Sequence, residues 1–433
     1  MEKPFVLKGG TLVDPAQDIN RCCDLLVEEG KVRDIASALD VSDEYASIID
    51  VSGKYIVPGM VDMHVHLRDP GEENKETVAD GAAAAVAGGV TSLCCMPNTN
   101  PPVDNSLVVE SIQEKARRAN LAHVYPLGTL TRGRCGKEMS DYASLLAAGV
   151  RGFSDDGSYV ESSALMLNIL DYLTQFDAVA ISHCEDAGLT GSGVAHDGYY
   201  AHMLGLPGIP AVSETVAVAR DLQLAQATGG SVHIAHVSCA DSVDLIRKAK
   251  EQGVQVTAEV APHHLFLTHA ALQGFNSMAK MKPPLRTEED RRSLWDGLRE
   301  GVIDIIATDH APHSRNDKDC TFADASFGVV SLDFVVSLLL TEMVHTGKFG
   351  LKELVEFYSH RPARILGLPA GSLPKGAPAD IVVLDLDAPV EVKGENFYSR
   401  GSNTPFMGRS LQGKPVMTFV AGELKMQDGK VKE

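Results

Sequence analysis

His64-Val65-His66 sets two imidazoles two residues apart. In an extended chain such side chains leave the backbone on one side, so both rings can reach one metal ion. Far downstream, Thr308-Asp309-His310-Ala311-Pro312-His313 offers a carboxylate of the kind that completes a metal site. A His-x-His alone is weak, because histidines fall two apart by chance. Its force comes from where the other candidate ligands lie.

Those ligands sit where apolar runs end. Eight β-branched, apolar stretches occur, at 56–66, 90–96, 122–128, 149–154, 178–183, 232–236, 254–261 and 302–309. Between them, segments at 75–87, 106–119, 137–147, 162–176, 213–227, 242–252 and 288–300 carry helical spacing. Unbroken alternation of this count, with strands apolar on both faces, predicts a (β/α)8 TIM-like barrel rather than an open doubly wound sheet. In such barrels the chemistry gathers at the C-terminal strand ends. His64 and His66 end the first stretch, Asp155 and Asp156 follow the fourth, His183 ends the fifth, His236 the sixth and Asp309 the eighth. Four imidazoles and two carboxylates at one mouth suit zinc or a similar divalent ion, and exceed what one tetrahedral site needs. Two ions are expected, with one carboxylate between them and the other moving protons.

A barrel takes about 250 residues, and this chain has 433, 44% of them hydrophobic. The remainder lies at both ends. Residues 1–55 alternate in short runs broken by Gly9-Gly10, Glu29-Gly30-Lys31 and Ser52-Gly53, and 366–433 repeat the style at Lys375-Gly376, Ala421-Gly422-Glu423 and Asp428-Gly429. Both read as β hairpins, so a small β-sandwich domain built from both termini is expected around a catalytic barrel at 56–365. A net charge of −19 excludes nucleic acid as a partner. No basic-then-apolar leader is present, and the apolar run at 334–340 is too short to span a membrane. Eight cysteines, including the neighbours Cys22-Cys23 and Cys94-Cys95, lack the spacing of a disulfide framework and read as reduced thiols. A cytoplasmic enzyme is expected.

Seven ordered motifs carry a family resemblance. They are His64-Val65-His66-Leu67-Arg68-Asp69-Pro70-Gly71, Met96-Pro97-Asn98-Thr99, Phe153-Ser154-Asp155-Asp156-Gly157, Ser182-His183-Cys184-Glu185, Ala235-His236-Val237-Ser238, Pro283-Pro284-Leu285-Arg286 and the Asp309 segment. Together they resemble dihydroorotases of the class I type, in the amidohydrolase superfamily, from about residue 5 to the C-terminus. The resemblance implies reversible closure of N-carbamoyl-L-aspartate to L-dihydroorotate in pyrimidine (UMP) biosynthesis, through a zinc-activated hydroxide with Asp309 as general acid/base. It implies His64, His66, Asp156, His183, His236 and Asp309 as zinc ligands, for one ion or two with two favoured. Many relatives bridge their metals with a carboxylated lysine where this chain has Asp156, as its own branch does.

The implied substrate is small and anionic. By motif position His66, Arg68, Asn98, Lys282, His313, Phe327 and Gly328 would bind it, with Arg68 able to grip a carboxylate by two hydrogen bonds. Two positions depart from the family: Lys282 stands where asparagine is usual before Pro-Pro-Leu-Arg, and Ser326 where proline is usual before Phe-Gly. The family also implies a homodimer and a complex with aspartate transcarbamoylase.

Other polar residues have plainer expectations. His233, three residues before His236, should point the opposite way and pack under the helices. His310 should face away from the metals, and Asp155 should serve a turn, while His263 and His264 suit either a supporting or a structural role. The stretch 185–210 lacks periodicity and either moves over the site or packs on a second subunit. Two rival functions stand beside dihydroorotase. One is a hydantoinase, dihydropyrimidinase or allantoinase type of cyclic amidohydrolase; the other is a silent homologue serving as an assembly subunit, which should have lost ligands that this chain retains.

Overall fold

A computed structural model describes residues 3–432; residues 1, 2 and 433, which the expected terminal domain includes, lie outside them. The eight predicted strands form, shortened at their ends: Met60–Val65, Val90–Cys95, His123–Pro126, Phe153–Ser154, Val179–Ser182, Ser231–Ile234, Val256–Val260 and Ile305–Ile306. They pair in parallel and in chain order, as one ladder of three and one of five. Two bridges close the ring. Gly128 pairs with Phe153, and Val65 pairs with His310, where the His66 N–H donates to the His310 carbonyl at 2.8 Å. The molecule is thus a closed (β/α)8 barrel.

Both faces of these strands are buried, which is why their apolar runs are nearly continuous. Outward side chains such as Val232 and Ile234 meet the helices through Ile112, Leu170, Leu222, Ile246 and Leu298. Inward ones, among them Val61, Met63, Leu127, Ile181, Ala235 and Ile305, pack with Ala363, Leu366 and Leu368. Each fully buried Val, Leu or Ile stabilises the ring by about 1.5–3 kcal/mol.

Caps decide where the helices begin. The helix Ser106–Ala119 starts after Asn105, whose side chain accepts from Leu107 and Val108, and it stops at Asn120 with φ of 49°. The spacing predicts helices from 75 and 137, but a Thr77–Asp80 capping box delays the first to Val78 and Asp141 delays the other to Tyr142. The apolar run at 334–340 contributes the buried helix Val335–Leu339. Among the described residues no helix is long and apolar enough to cross a membrane.

The stretch expected as one strand at 56–66 is divided. Tyr55–Pro58 pairs antiparallel with Ile381–Glu391 in the terminal sheet, and Met60–Val65 enters the barrel. Gly59 lies between them, where a Cβ would stand 2.0 Å from Thr91 Oγ1, so only glycine lets the chain pass. Among the described residues the terminal sheet has nine strands from both ends of the chain, with Phe5–Asp14 beside Tyr55–Pro58 and Ser410–Val420 beyond Ile381–Glu391. Phe5 stacks on Phe419 at 4.9 Å although their strands are not neighbours, so the sheet curls onto itself as a sandwich around Leu7, Leu25, Ile56 and Ile381. Residues 185–210 fold as two short helices, Ala187–Thr190 and Tyr199–Leu204, about a two-residue parallel pairing.

Candidate metal centre

The strand ends bring all six candidate ligands to one buried mouth. Asp156 is their hub: its Oδ1 lies 3.4 Å from His64 Nε2, 3.4 Å from His183 Nδ1 and 3.5 Å from His236 Nε2, and its Oδ2 lies 3.5 Å from His66 Nε2. Two triads able to hold a metal result, His64–His66–Asp156 and Asp156–His183–His236, each with its ligand atoms within 4.8 Å of one another. Asp309 Oδ1 sits 3.1 Å from His66 Nε2 and 3.5 Å from His64 Nε2.

Three residues at this mouth, Arg68 (φ 62°), His236 (φ 34°) and Asp309 (φ 49°), adopt left-handed backbone. Such conformations are costly for residues other than glycine and cluster at sites where a side chain must be aimed. Here they turn side chains inward just past the strand ends.

The donor set fits a divalent cation. His64 Nε2 and Asp156 Oδ1 are buried and have no hydrogen-bond partner among the described residues, and each aims at the same gap. Leaving a buried polar atom unpaired costs about 1–3 kcal/mol, which a metal ion would remove. Both carboxylates are held ionised. Burial would raise Asp309, but the hydrogen bond from His66 and the charges of His64, His66 and His236 bring it down to about 2. Asp156, also opposed by burial, is held well below the usual carboxylate range by the charge of His64 and by the nearby imidazoles of His183, His236 and His64.

A buried carboxylate that the sequence reading does not single out supports the ligands. Glu259 Oε1 lies 2.5 Å from His64 Nδ1 and accepts from the His236 N–H at 3.2 Å, while its Oε2 meets His233 Nε2 at 3.2 Å. The bond at Nδ1 directs the Nε2 lone pair of His64 into the gap. Its one sequence signal is a lone charge inside an otherwise apolar stretch. Glu259→Gln is expected to weaken binding of a divalent metal ion by about 10–100-fold, read by competition with a chromophoric chelator. Unchanged affinity would remove Glu259 from the site.

This contact also corrects the expectation for His233. It lies in register with Ile181 and Thr257, the row that faces the barrel interior, and its Nδ1 is 2.7 Å from Thr257 Oγ1. Counting three residues to His236 fails because His236 lies past the end of Ser231–Ile234 and its positive φ turns it back inward. Asp155 bonds Thr131 instead of the gap, and His310 accepts from Ser331 and Leu332 at 3.4 Å, turned away from the gap. His264 Nε2 donates to the Pro283 carbonyl at 2.9 Å, and His263 is buried beside it.

The remaining candidates line the rim. Asn98 Oδ1 is 3.0 Å from His66 Nδ1. Arg68 uses Nε on the Pro312 carbonyl at 3.2 Å, and its Nη2 lies 3.4 Å from His313 Nε2. That imidazole donates to the Phe327 carbonyl at 2.7 Å, and burial and then the charge of Arg68 hold it at about 3, so it is neutral. Gly328 has φ of 144°, and a Cβ there would stand 2.8 Å from both His313 Nε2 and the Ala311 carbonyl. Lys282 turns to Glu185, its Nζ 2.6 Å from Oε1, and Glu185 Oε2 lies 3.8 Å from His183 Nε2. A cavity of about 520 Å³ opens here, lined by His183, Glu185, Lys282, Arg134, Lys137 and Glu161.

A family described as Dihydro-orotase-like matches residues 53–242. A dihydroorotase from Pelotomaculum thermopropionicum is 46% identical over 424 residues, 98% of this chain and 99% of the relative. One from Listeria monocytogenes is 42% identical over 428 residues, 99% of this chain and 100% of the relative. Among solved structures, the L-hydantoinase (dihydropyrimidinase) from Arthrobacter aurescens superposes with a TM-score of 0.88 at 28% identity, over 100% of this chain and 98% of that one. A D-hydantoinase (dihydropyrimidinase) from Thermus sp. shares the fold, with a TM-score of 0.86 at 24% identity over 99% of this chain and 96% of that one.

Proposed function

This chain belongs to the dihydroorotase family, and from that premise we propose that it interconverts N-carbamoyl-L-aspartate and L-dihydroorotate in pyrimidine biosynthesis. The observation that carries this reading is Asp156, shared by two ligand triads, with Arg68, Asn98 and His313 on the rim beside it. The chain is a cyclic amide hydrolase, and the finer assignment is zinc, two ions per chain, held by His64, His66, Asp156, His183, His236 and Asp309. Zinc, when bound, supplies water made acidic enough to attack near neutral pH and polarises the carbonyl under attack.

The rest is done by the chain. With Nε committed to Pro312, Arg68 offers its two NH2 groups to a substrate carboxylate. Neutral His313 donates a hydrogen bond from Nε2 to the Phe327 carbonyl, which fixes the covering backbone of Phe327 and Gly328 over the substrate. Asp309, ionised and within 3.1 Å of His66, takes the proton of the attacking water during ring opening and returns it to the departing ring nitrogen. In ring closure the same carboxylate moves the proton the other way.

Lys282 favours a second reading. With a lysine at a rim position and a structural likeness to an L-hydantoinase, the substrate could be a different cyclic amide. Turnover of L-dihydroorotate, dihydrouracil, hydantoin and allantoin by the zinc-loaded protein separates them. Strong preference for dihydroorotate is expected; preference for any other member of the panel would replace the assignment. The barrel, expected at 56–365, is proposed as the catalytic unit with its start moved to Met60, because Tyr55–Pro58 pairs in the terminal sheet; the segment before it and 366–433 form the terminal domain. A homodimer and assembly with an aspartate transcarbamoylase rest on the family alone, and a cytosolic setting on eight free cysteines.

A further inference from the structure

Lys318 ends the short helix Arg315–Lys318 between His313 and Phe327, and although lysine is ordinarily solvated it is 1% exposed. Its three ammonium protons find three carbonyls: Ser326 at 2.8 Å, Gly328 at 3.1 Å and Lys280 at 3.2 Å. Burial, and then the like charge of Lys280, bring it down to about 7, so the fold holds this ammonium at a cost.

We propose, resting on the reading that Phe327 and Gly328 cover the substrate, that Lys318 is a positioning residue whose ammonium clamps the covering segment in place. The clamp joins residues that bracket Phe327, Ser326 before it and Gly328 after it, to Lys280, next but one to Lys282 on the rim. Gly328 N–H also donates to the Lys280 carbonyl at 3.0 Å, so the two segments are stitched from both sides. Lys280 closes the far end, with Nζ on the Phe322 carbonyl at 2.9 Å and 4.5 Å above the Phe327 ring. Asn403 makes the second tie, donating to the carbonyls of Ala311 and Gly328, both at 3.0 Å, and accepting from the His313 N–H at 3.0 Å. Between them, Lys318 and Asn403 leave the Phe327 carbonyl facing His313 and set the Gly328 backbone where no Cβ fits.

Lys318→Met in the full-length zinc-loaded protein tests this. KM for L-dihydroorotate is expected to rise by about tenfold or more with kcat and zinc content held, because one charge-assisted clamp is lost from the binding surface and none from the reacting atoms. Lys318→Arg should recover part of the KM, and Lys318→Gln takes the place of the Met variant should that one fail to fold. Amide exchange of Ser326, Gly328 and Val330, each hydrogen-bonded in the wild type, should quicken while that of 60–66 stays slow. Unchanged KM with unchanged exchange overturns the proposal, and so does a fall in kcat that tracks lost zinc at constant KM. Were the wild type to leave dihydroorotate untouched, the functional reading would fall and the exchange result alone would decide the clamp.

Discussion

Asp309→Asn is expected to lower kcat for L-dihydroorotate by about 10²–10⁴-fold, with KM within about threefold of wild type. The amide keeps the size and one oxygen of the side chain, so the contact with His66 Nε2 at 3.1 Å is retained. What it loses is the capacity to carry a proton from water to the ring nitrogen. The wild-type carboxyl is free to accept that proton because His66, His64 and His236 hold it ionised against the raising effect of burial. A transition-state role predicts that kcat and kcat/KM fall together, whereas an anion-binding role would raise KM alone. Since Asp309 is also proposed as a ligand, zinc content must be measured on the same samples. Near-normal turnover with full zinc would assign the proton transfer to another group.

The parts of this site that could be read in the sequence are those that chain position alone places. His64, His66, His183 and Asp309 each close an apolar run, and a barrel converts the ends of such runs into one mouth. What could not be read depends on which face of a strand a residue occupies. When both faces are buried, alternation carries no label for inside and outside, so Glu259 and Asp62 pass as strand residues until the ring is closed. Asp62 then proves to tie the first and eighth strands, accepting from the N–H groups of His64 and Thr308 at 3.1 Å. Local backbone is equally silent: the inward turn of His236 needs a positive φ that histidine does not announce. Lys318 and Asn403 sit in polar segments, where composition suggests solvent, and only the packing of three segments reveals that both are buried. The break at Gly59 is of the same kind, set by the approach of Thr91 from the neighbouring strand.

Asp156→Asn should have the broadest effect of any single change at the mouth. Its carboxylate stands within 3.5 Å of a ring nitrogen from each of His64, His66, His183 and His236. No other residue belongs to both metal-holding triads among the described residues. Asparagine preserves the shape but removes the negative charge that two cations would share, and it presents an NH2 toward imidazoles that must offer lone pairs. Zinc is therefore expected to fall from the proposed two ions per chain to one or fewer, measured by atomic absorption after exhaustive dialysis. Turnover should fall by at least about 10³-fold, since the water activation that metals supply is worth several kcal/mol. A readout independent of activity comes from thermal unfolding: zinc should raise the melting temperature of the wild type more than that of the variant, because a ligand stabilises in proportion to its binding to the folded state. The Asp309 variant, altered at the rim of the cluster instead of its hub, should keep most of that zinc-dependent stabilisation. Two tightly held zinc ions and ordinary turnover in Asp156→Asn would show that Asp156 is not the shared ligand. Zinc lost equally from both variants would mean that the six side chains bind as one undivided site.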